Sequence, residues 1–328
     1  MSFWDDFIAW LRGLFTGQPP TPPEPVGGVP APVAPKVELI VFDPRLPGQG
    51  NQLLSQALGW GDAGSLAAAY INDLRSASHG YLDYQIVQRT DVDGFPVKID
   101  GFSYTPEDYW QAWQSGSGFH QPDATDYQRI ISDYNLAAKI NSGAVDEVWL
   151  FGMPYAGFYE SIMVGPGAVF CNAPPLPLAI VSRRFIIMGF NYQRGVGEML
   201  ESFGHRAESI LRHVFRNAPA AVNLWERFIR YEKTHPDQAE CGNVHFAPNS
   251  QSDYDWGNTT PVLSRCRNWD SFPNLAGAPI LVDHNEWGGG DMRLHHLWWL
   301  GKFPHITGAM DGIACNWWKY VVDPNQIS

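Results

Sequence analysis

The chain has 328 residues, and 22 Lys and Arg against 34 Asp and Glu give it a formal charge of -12. That balance excludes nucleic acid or another polyanion as the main partner, because no excess of cations exists to neutralise phosphates. The length suits one large α/β domain or two smaller ones, and the 45% hydrophobic content is that of a globular protein.

From the N-terminus, Phe3, Trp4, Phe7, Ile8, Leu11, Leu14 and Phe15 form a broad apolar stripe at helical spacing. Residues 1–16 are therefore expected to be an amphipathic helix that docks on protein. Asp5 and Asp6 stand where a signal peptide needs positive charge, and only Arg12 offsets them. The apolar stretch is too short to cross a bilayer, so no transmembrane span is expected. Residues 17–36 read as a linker, because Pro19, Pro20, Pro22, Pro23, Pro25, Pro30, Pro32 and Pro35 prevent regular helix.

The folded body is expected over residues 37–328 as a single three-layer α/β domain with a mainly parallel sheet. Its long loops and irregular C-terminal elaboration, residues 241–328, complete the reading. Val37–Phe42 is an apolar run ended by Asp43 and Pro44, the pattern of a buried first strand. The following Pro47–Asn51 turn lacks the GxGxxG and Walker spacings, which argues against nucleotide binding. Helices are predicted at Gln52–Leu58 and Ser65–Ser78, and a strand at Leu82–Gln88. Thr105, with Asp108 three residues on and Pro106 at the first position, starts another helix. Asp126 or Thr125 caps one that runs to about Ile140. Strands then follow at Asp146–Phe151 and Ser182–Phe190, the second opening into a long helix, and a short helix is expected around Phe158–Met163. Ala278–Val282 supplies a further strand, and the ends near Phe42, Phe151, Phe190 and Val282 are expected to be neighbours in one sheet.

In an open parallel sheet, polar groups just after the strand ends converge on one crevice. Asp43, Tyr155, Glu160, Asn191, Tyr192, Arg194 and Asp283 occupy such positions. The helix after Asn191 carries Glu201, His205 and Glu208 at i, i+4 and i+7, on one face, where carboxylate and imidazole could hold a divalent metal or transfer protons. The opposite face, with Val196, Leu200, Phe203, Ala207, Leu211 and Val214, should be the buried one. The loop His245–Trp256 gathers His245, Asn249, Asp253 and Trp256, a set able to fix a sugar or ligate a cation.

The 14 Trp, 13 Tyr and 18 Phe are compatible with stacking surfaces in a cleft or with aromatic packing under loops. The cysteines, Cys171, Cys241, Cys266 and Cys315, include no CxxC pair. Cys241 and Cys266 flank an irregular segment that a disulfide would brace. These loops incline the reading towards an extracytoplasmic, secreted setting.

The leading expectation is a hydrolase cutting a glycosidic bond of a polysaccharide or small glycan without a cofactor. Its acid/base residues would be Glu160 with Glu201 or Asp253, with His205 in the catalytic set. Asp43, Tyr155, Asn191, Tyr192, Arg194, His245, Asn249, Trp256 and Asp283 would bind substrate. One alternative is a metal-assisted hydrolase with a divalent metal on Glu201, His205 and Glu208, joined by His245. The other is a non-catalytic glycan-binding or structural module.

Overall fold

The computed structural model describes residues 27–327. The expected N-terminal helix and residues 17–26 of the linker lie outside the described residues. The rest of the linker follows the body: Val33 bridges Leu82, and Gly28 N–H donates to Thr307 Oγ1 at 3.0 Å.

Lys36–Phe42 (β1), Gln85–Val92 (β2), Glu147–Gly152 (β3), Ser161–Val164 (β4) and Phe185–Asn191 (β5) form one five-stranded sheet. Its order is β2-β1-β3-β5-β4, with β2, β1, β3 and β5 parallel and β4 antiparallel to β5. This is a mixed, mostly parallel sheet with helices, as in α/β folds. The apolar runs of β1 and β3 are buried on both strand faces, which is why they read as continuous rather than alternating hydrophobic stretches. β2 stands at the edge and is largely exposed.

Two charged residues enter this interior with partners. Glu38 accepts two hydrogen bonds from Lys139 Nζ, at 2.7 and 2.8 Å. Glu147 meets the fully buried Arg206 at 2.7 Å and accepts from Tyr84 OH and Trp149 Nε1, each at 2.9 Å.

Three helices matter most for the site. Ala63–Ala77 (α1) is capped by Asp62, which accepts from Ser65 N–H. Val196–Val214 (α2) buries Val196, Leu200, Phe203, Ala207 and Leu211, the face its periodicity marks as apolar. Met292–Gly301 (α3) packs on both α1 and α2. Among the described residues, no helix is long and apolar enough to cross a membrane.

Three expected elements come out differently. Phe158–Met163 contains no helix. Gly157 and Gly165, both at positive φ, bracket β4, whose Ile162 and Val164 suit a strand. The single helix expected from Asp126 to about Ile140 is broken at Asn135, which sits at φ 52° between Tyr127–Asp133 and Leu136–Asn141. Ile280–Val282 does not join the main sheet. β4 already occupies the edge beside β5, and Ile280–Val282 pairs instead with Val262–Ser264 in a separate antiparallel ribbon.

Candidate functional site

The parallel strands bring their C-terminal ends to one edge. Tyr192 ties that edge together, its N–H donating to Gly152 O at 3.1 Å and its hydroxyl to Phe42 O at 3.0 Å. Glu160 reaches the same edge because β4 runs the other way and starts there. Gly189 makes this possible: a Cβ on it would lie 2.3 Å from Tyr159 O, whereas the glycine lets its N–H donate to Glu160 O at 3.1 Å. Between β3, β5 and the start of α2 lies a cavity of about 230 Å³, lined among others by Tyr155, Phe158, Glu160, Asn191, Arg194 and Glu198.

Beside this cavity, the i, i+4, i+7 spacing on α2 presents Glu201, His205 and Glu208 to the loop that carries His245. Gly204, on the same helix, lets that loop press in, since a Cβ there would lie 2.4 Å from Val244 Cγ2. Glu208 Oε1 accepts from Val244 N–H at 3.2 Å and fixes the loop's height on the helix. The result is a triangle of ligand-type atoms. His245 Nε2 lies 2.9 Å from Glu201 Oε1 and 3.0 Å from His205 Nε2, and His205 Nε2 lies 3.9 Å from Glu201 Oε1.

The outer nitrogens of the two rings also have partners. His205 Nδ1 meets Glu208 Oε2 at 3.1 Å, and His245 Nδ1 meets Asp253 Oδ1 at 3.0 Å. A carboxylate accepts only, so a neutral ring keeps its proton on Nδ1 and turns the Nε2 lone pair inward, whereas a protonated His245 donates from Nε2 to Glu201 as well. Tyr254 OH donates to Glu201 Oε1 at 3.0 Å. On the cavity side, Asn172 Nδ2 donates to Glu160 Oε2. Tyr254, Tyr155 and Asn172 sit at φ 59°, 60° and 52°, backbone strain of the kind that gathers where side chains must be aimed.

The electrostatics are those of an acidic pocket holding two imidazoles. Burial opposes a charge on His205, but its hydrogen bonds to Glu201 and Glu208 outweigh that and push its pKa up to about 10. The hydrogen bond to Glu201 raises that of His245 as well. Burial alone would raise Glu201, yet donation from His205, His245 and Tyr254 holds its carboxyl well below the usual range. Glu160 goes the other way: burial lifts it, the nearby Glu201 charge adds to the effect, and His205, His245 and Arg194 oppose it.

The structure thus brings together Glu160, Glu201, His205, Glu208, His245 and Asp253, and places Tyr155, Asn191 and Arg194 around the adjoining cavity. The other expected site residues lie elsewhere or are enclosed. Asp43 accepts from Ser55 N–H and Oγ at 2.9 and 2.6 Å and lines a separate cavity beside β2. Tyr192 and Asn249 are buried; Asn249 Nδ2 braces the loop through Asn258 O and Thr260 O. Trp256 is buried and stacks on His295. Asp283, beyond the displaced ribbon strand, caps a short 3-10 turn at Asn285. The aromatic residues of the last third mostly form core: Trp269, Trp287, Trp299, Trp317 and Trp318 are all buried. Sequence reasoning passed over Tyr254 and Asn172. Only their strained backbones mark them, and strain is not visible in the sequence.

Glu201, His205 and His245 form a group able to hold a metal ion, each offering one atom with all three within 4.8 Å of one another. Two imidazoles and a carboxylate so placed on an α/β domain are a geometric possibility for an ion. Comparison with known proteins adds nothing: no protein-family model, no curated protein and no solved structure matches this chain.

Proposed function

We propose that the protein is a metal-dependent hydrolase in which Glu201, His205 and His245 hold one divalent ion of zinc-like preference. Glu160 serves as general base at the rim of the substrate cavity. The observation that carries the reading is the approach of two imidazole Nε2 atoms to 3.0 Å while each Nδ1 faces a carboxylate. With both rings neutral, two lone pairs and a carboxylate oxygen converge on one point, and a shared cation relieves the repulsion. In the metal-free fold the extra proton that His205 keeps up to a pKa of about 10 does the same, so the ion and that proton compete for the site.

The dimensions agree. Bonds of ~2.0–2.1 Å in a tetrahedral arrangement set ligand atoms about 3.3 Å apart. The triangle here has edges of 2.9, 3.0 and 3.9 Å, centred on that value. Glu208 and Asp253 orient the rings as outer-sphere carboxylates do in metal sites. An ion held by Glu201, His205 and His245 would supply a water that ionises near neutral pH. Glu160, a carboxyl raised by burial, would hold the proton given up at the cavity rim and return it to a leaving group. Tyr254 holds Glu201 and leaves a hydroxyl at the mouth of the site.

The competing reading is a glycosidase using Glu160 as acid and Glu201 as the second carboxylate. It is supported by the opposite shifts of those two groups. It is the weaker one, because Glu201 Oε1 is already engaged by His245 and Tyr254. The domain is taken as three-layered, an arrangement supported by burial of both faces of β1 and β3.

Hydrolysis of a panel of ester, amide, phosphate and glycoside reporters, before and after chelation, tests the reading. Activity lost to chelator and restored by zinc, and abolished in Glu160→Gln, is the expected result. Chelator-resistant glycoside cleavage would establish the competing reading instead.

A further inference from the structure

We propose a second ligand site that shares no lining residue with the cavity beside Glu160: an oxyanion-binding groove built by Arg227, Arg230 and Arg265. The groove encloses about 590 Å³ and is floored by Val222, Leu224 and Met310. In a chain with net charge -12, three arginines around one concavity are a local reversal of sign.

Their placement is set by three adjacent backbones. Glu240 N–H and Gly242 N–H both donate to Arg230 O, at 3.0 and 3.1 Å, and Arg265 N–H donates to Ala239 O at 3.0 Å. The Ala239–Glu240 segment therefore runs between Arg230 and Arg265 and holds both residues at the groove. The three arginines differ in how far they are satisfied. Arg227 Nε is neutralised by Glu240 at 2.7 Å, and its Nη2 donates to Leu275 O at 3.0 Å. That carboxylate is fully occupied, since its other oxygen accepts from Trp269 Nε1 at 3.0 Å. Arg230 has only one neutral partner, Gln238 Oε1 at 3.2 Å, and its Nε is buried without an acceptor. The Arg265 side chain has no hydrogen bond or ion pair among the described residues.

The buried Nε–H of Arg230, with no acceptor among the described residues, is free to donate to an oxygen that a ligand brings. Guanidinium groups lining one groove offer the donors that carboxylate and phosphate oxygens accept. Asp311 is the remaining acid at the rim, so Arg230 and Arg265 outnumber it. The apolar floor of Val222, Leu224 and Met310 adds a surface for a hydrophobic body. The ligand class is therefore a small amphipathic oxyanion: a phosphate or carboxylate on an apolar stem.

Calorimetric titration of the full chain, stripped with chelator and then dialysed into chelator-free, metal-free buffer at low salt, with phenyl phosphate and with inorganic phosphate tests this. The stripping removes phosphate binding to any metal on His205 and His245. Saturable binding is expected, tighter for phenyl phosphate. Arg265→Gln and Arg230→Gln should each weaken it by about tenfold or more, the usual worth of a charge-assisted hydrogen bond. Thermal melts confirm that both variants are folded, and Arg265→Lys, which keeps the charge but not the fork, should lose part of the affinity. Absence of saturable binding in the wild type, or binding unchanged in both glutamine variants, would overturn the proposal.

Discussion

Replacing Arg206 by Met examines how α2, the helix that carries Glu201 and His205, is fastened to the sheet. Arg206 is wholly buried; Nη1 meets Glu147 at 2.7 Å, while Nε and Nη2 donate to Val321 O at 3.0 and 2.8 Å. Methionine fills much of the same volume, so the cavity contribution is small. What remains is Glu147, 3% exposed and still accepting from Tyr84 and Trp149, but with its counter-charge gone. An uncompensated buried charge costs ~3–5 kcal/mol. An orphaned carbonyl at Val321 adds about 1–3 kcal/mol. Arg206→Met should therefore cost roughly 4–8 kcal/mol, a large part of a typical domain's stability. Adding Glu147→Gln removes the charge; its one oxygen can still accept from Trp149 while its amide donates to the Tyr84 hydroxyl, which can turn to accept. The double variant should recover all but the carbonyl contribution. Urea denaturation followed by far-UV circular dichroism measures both. A single variant that costs under about 1 kcal/mol, or a double variant no more stable than Arg206→Met, would refute the account of how α2 is anchored.

Two further predictions concern the site's surroundings. His205 titrates near 6.5 when unfolded and at about 10 in the metal-free fold. Its contribution to stability is thus complete below pH 6.5 and lost as pH rises through 10. Metal-free wild type should lose more stability between pH 6.5 and 10 than His205→Gln, and equal losses in parallel melts would remove the electrostatic account of the cluster. Cys241 and Cys266 are free thiols in the structure, with Cys241 Sγ 3.9 Å from Cys266 O, and each follows by two residues the parallel bridge between Ala239 and Ser264. A small-molecule disulfide oxidant should close that pair and add ~2–4 kcal/mol of stability; alkylation and mass spectrometry finding four free thiols after oxidation would contradict it.

The sheet was largely legible because β1, β3 and β5 are buried on both sides, which writes them into the sequence as uninterrupted apolar runs, unlike the exposed edge strand β2. The Asp62, Thr105 and Asp126 caps follow from local chemistry, and Thr105 and Asp126 mark their helix starts in the sequence. β4 was misread because Ile162, Met163 and Val164 fit a short helix as well as a strand, and only pairing to β5 decides. Ile280–Val282 failed for the same reason: its partner is chosen by which edges are vacant. In the site, Glu201, His205 and Glu208 announce themselves by helical spacing. That this face is covered depends on Gly204 and on Val244, forty residues further on, and no local pattern encodes that contact. Tyr254 was hidden because its reach to Glu201 comes from a left-handed backbone no sequence rule assigns to tyrosine.

The central claim is that Glu201, His205 and His245 are metal ligands, and metal stoichiometry tests it most directly. The full chain, stripped with chelator, is dialysed against micromolar zinc and its content measured by inductively coupled plasma mass spectrometry. The account predicts one zinc per chain in the wild type, near zero in His205→Ala and His245→Ala, and an affinity weakened by about 10–100-fold in Glu208→Gln, whose carboxylate orients the His205 ring and anchors the Val244 loop without being a ligand. No bound metal in a folded wild type, or the same content in both alanine variants, would contradict it.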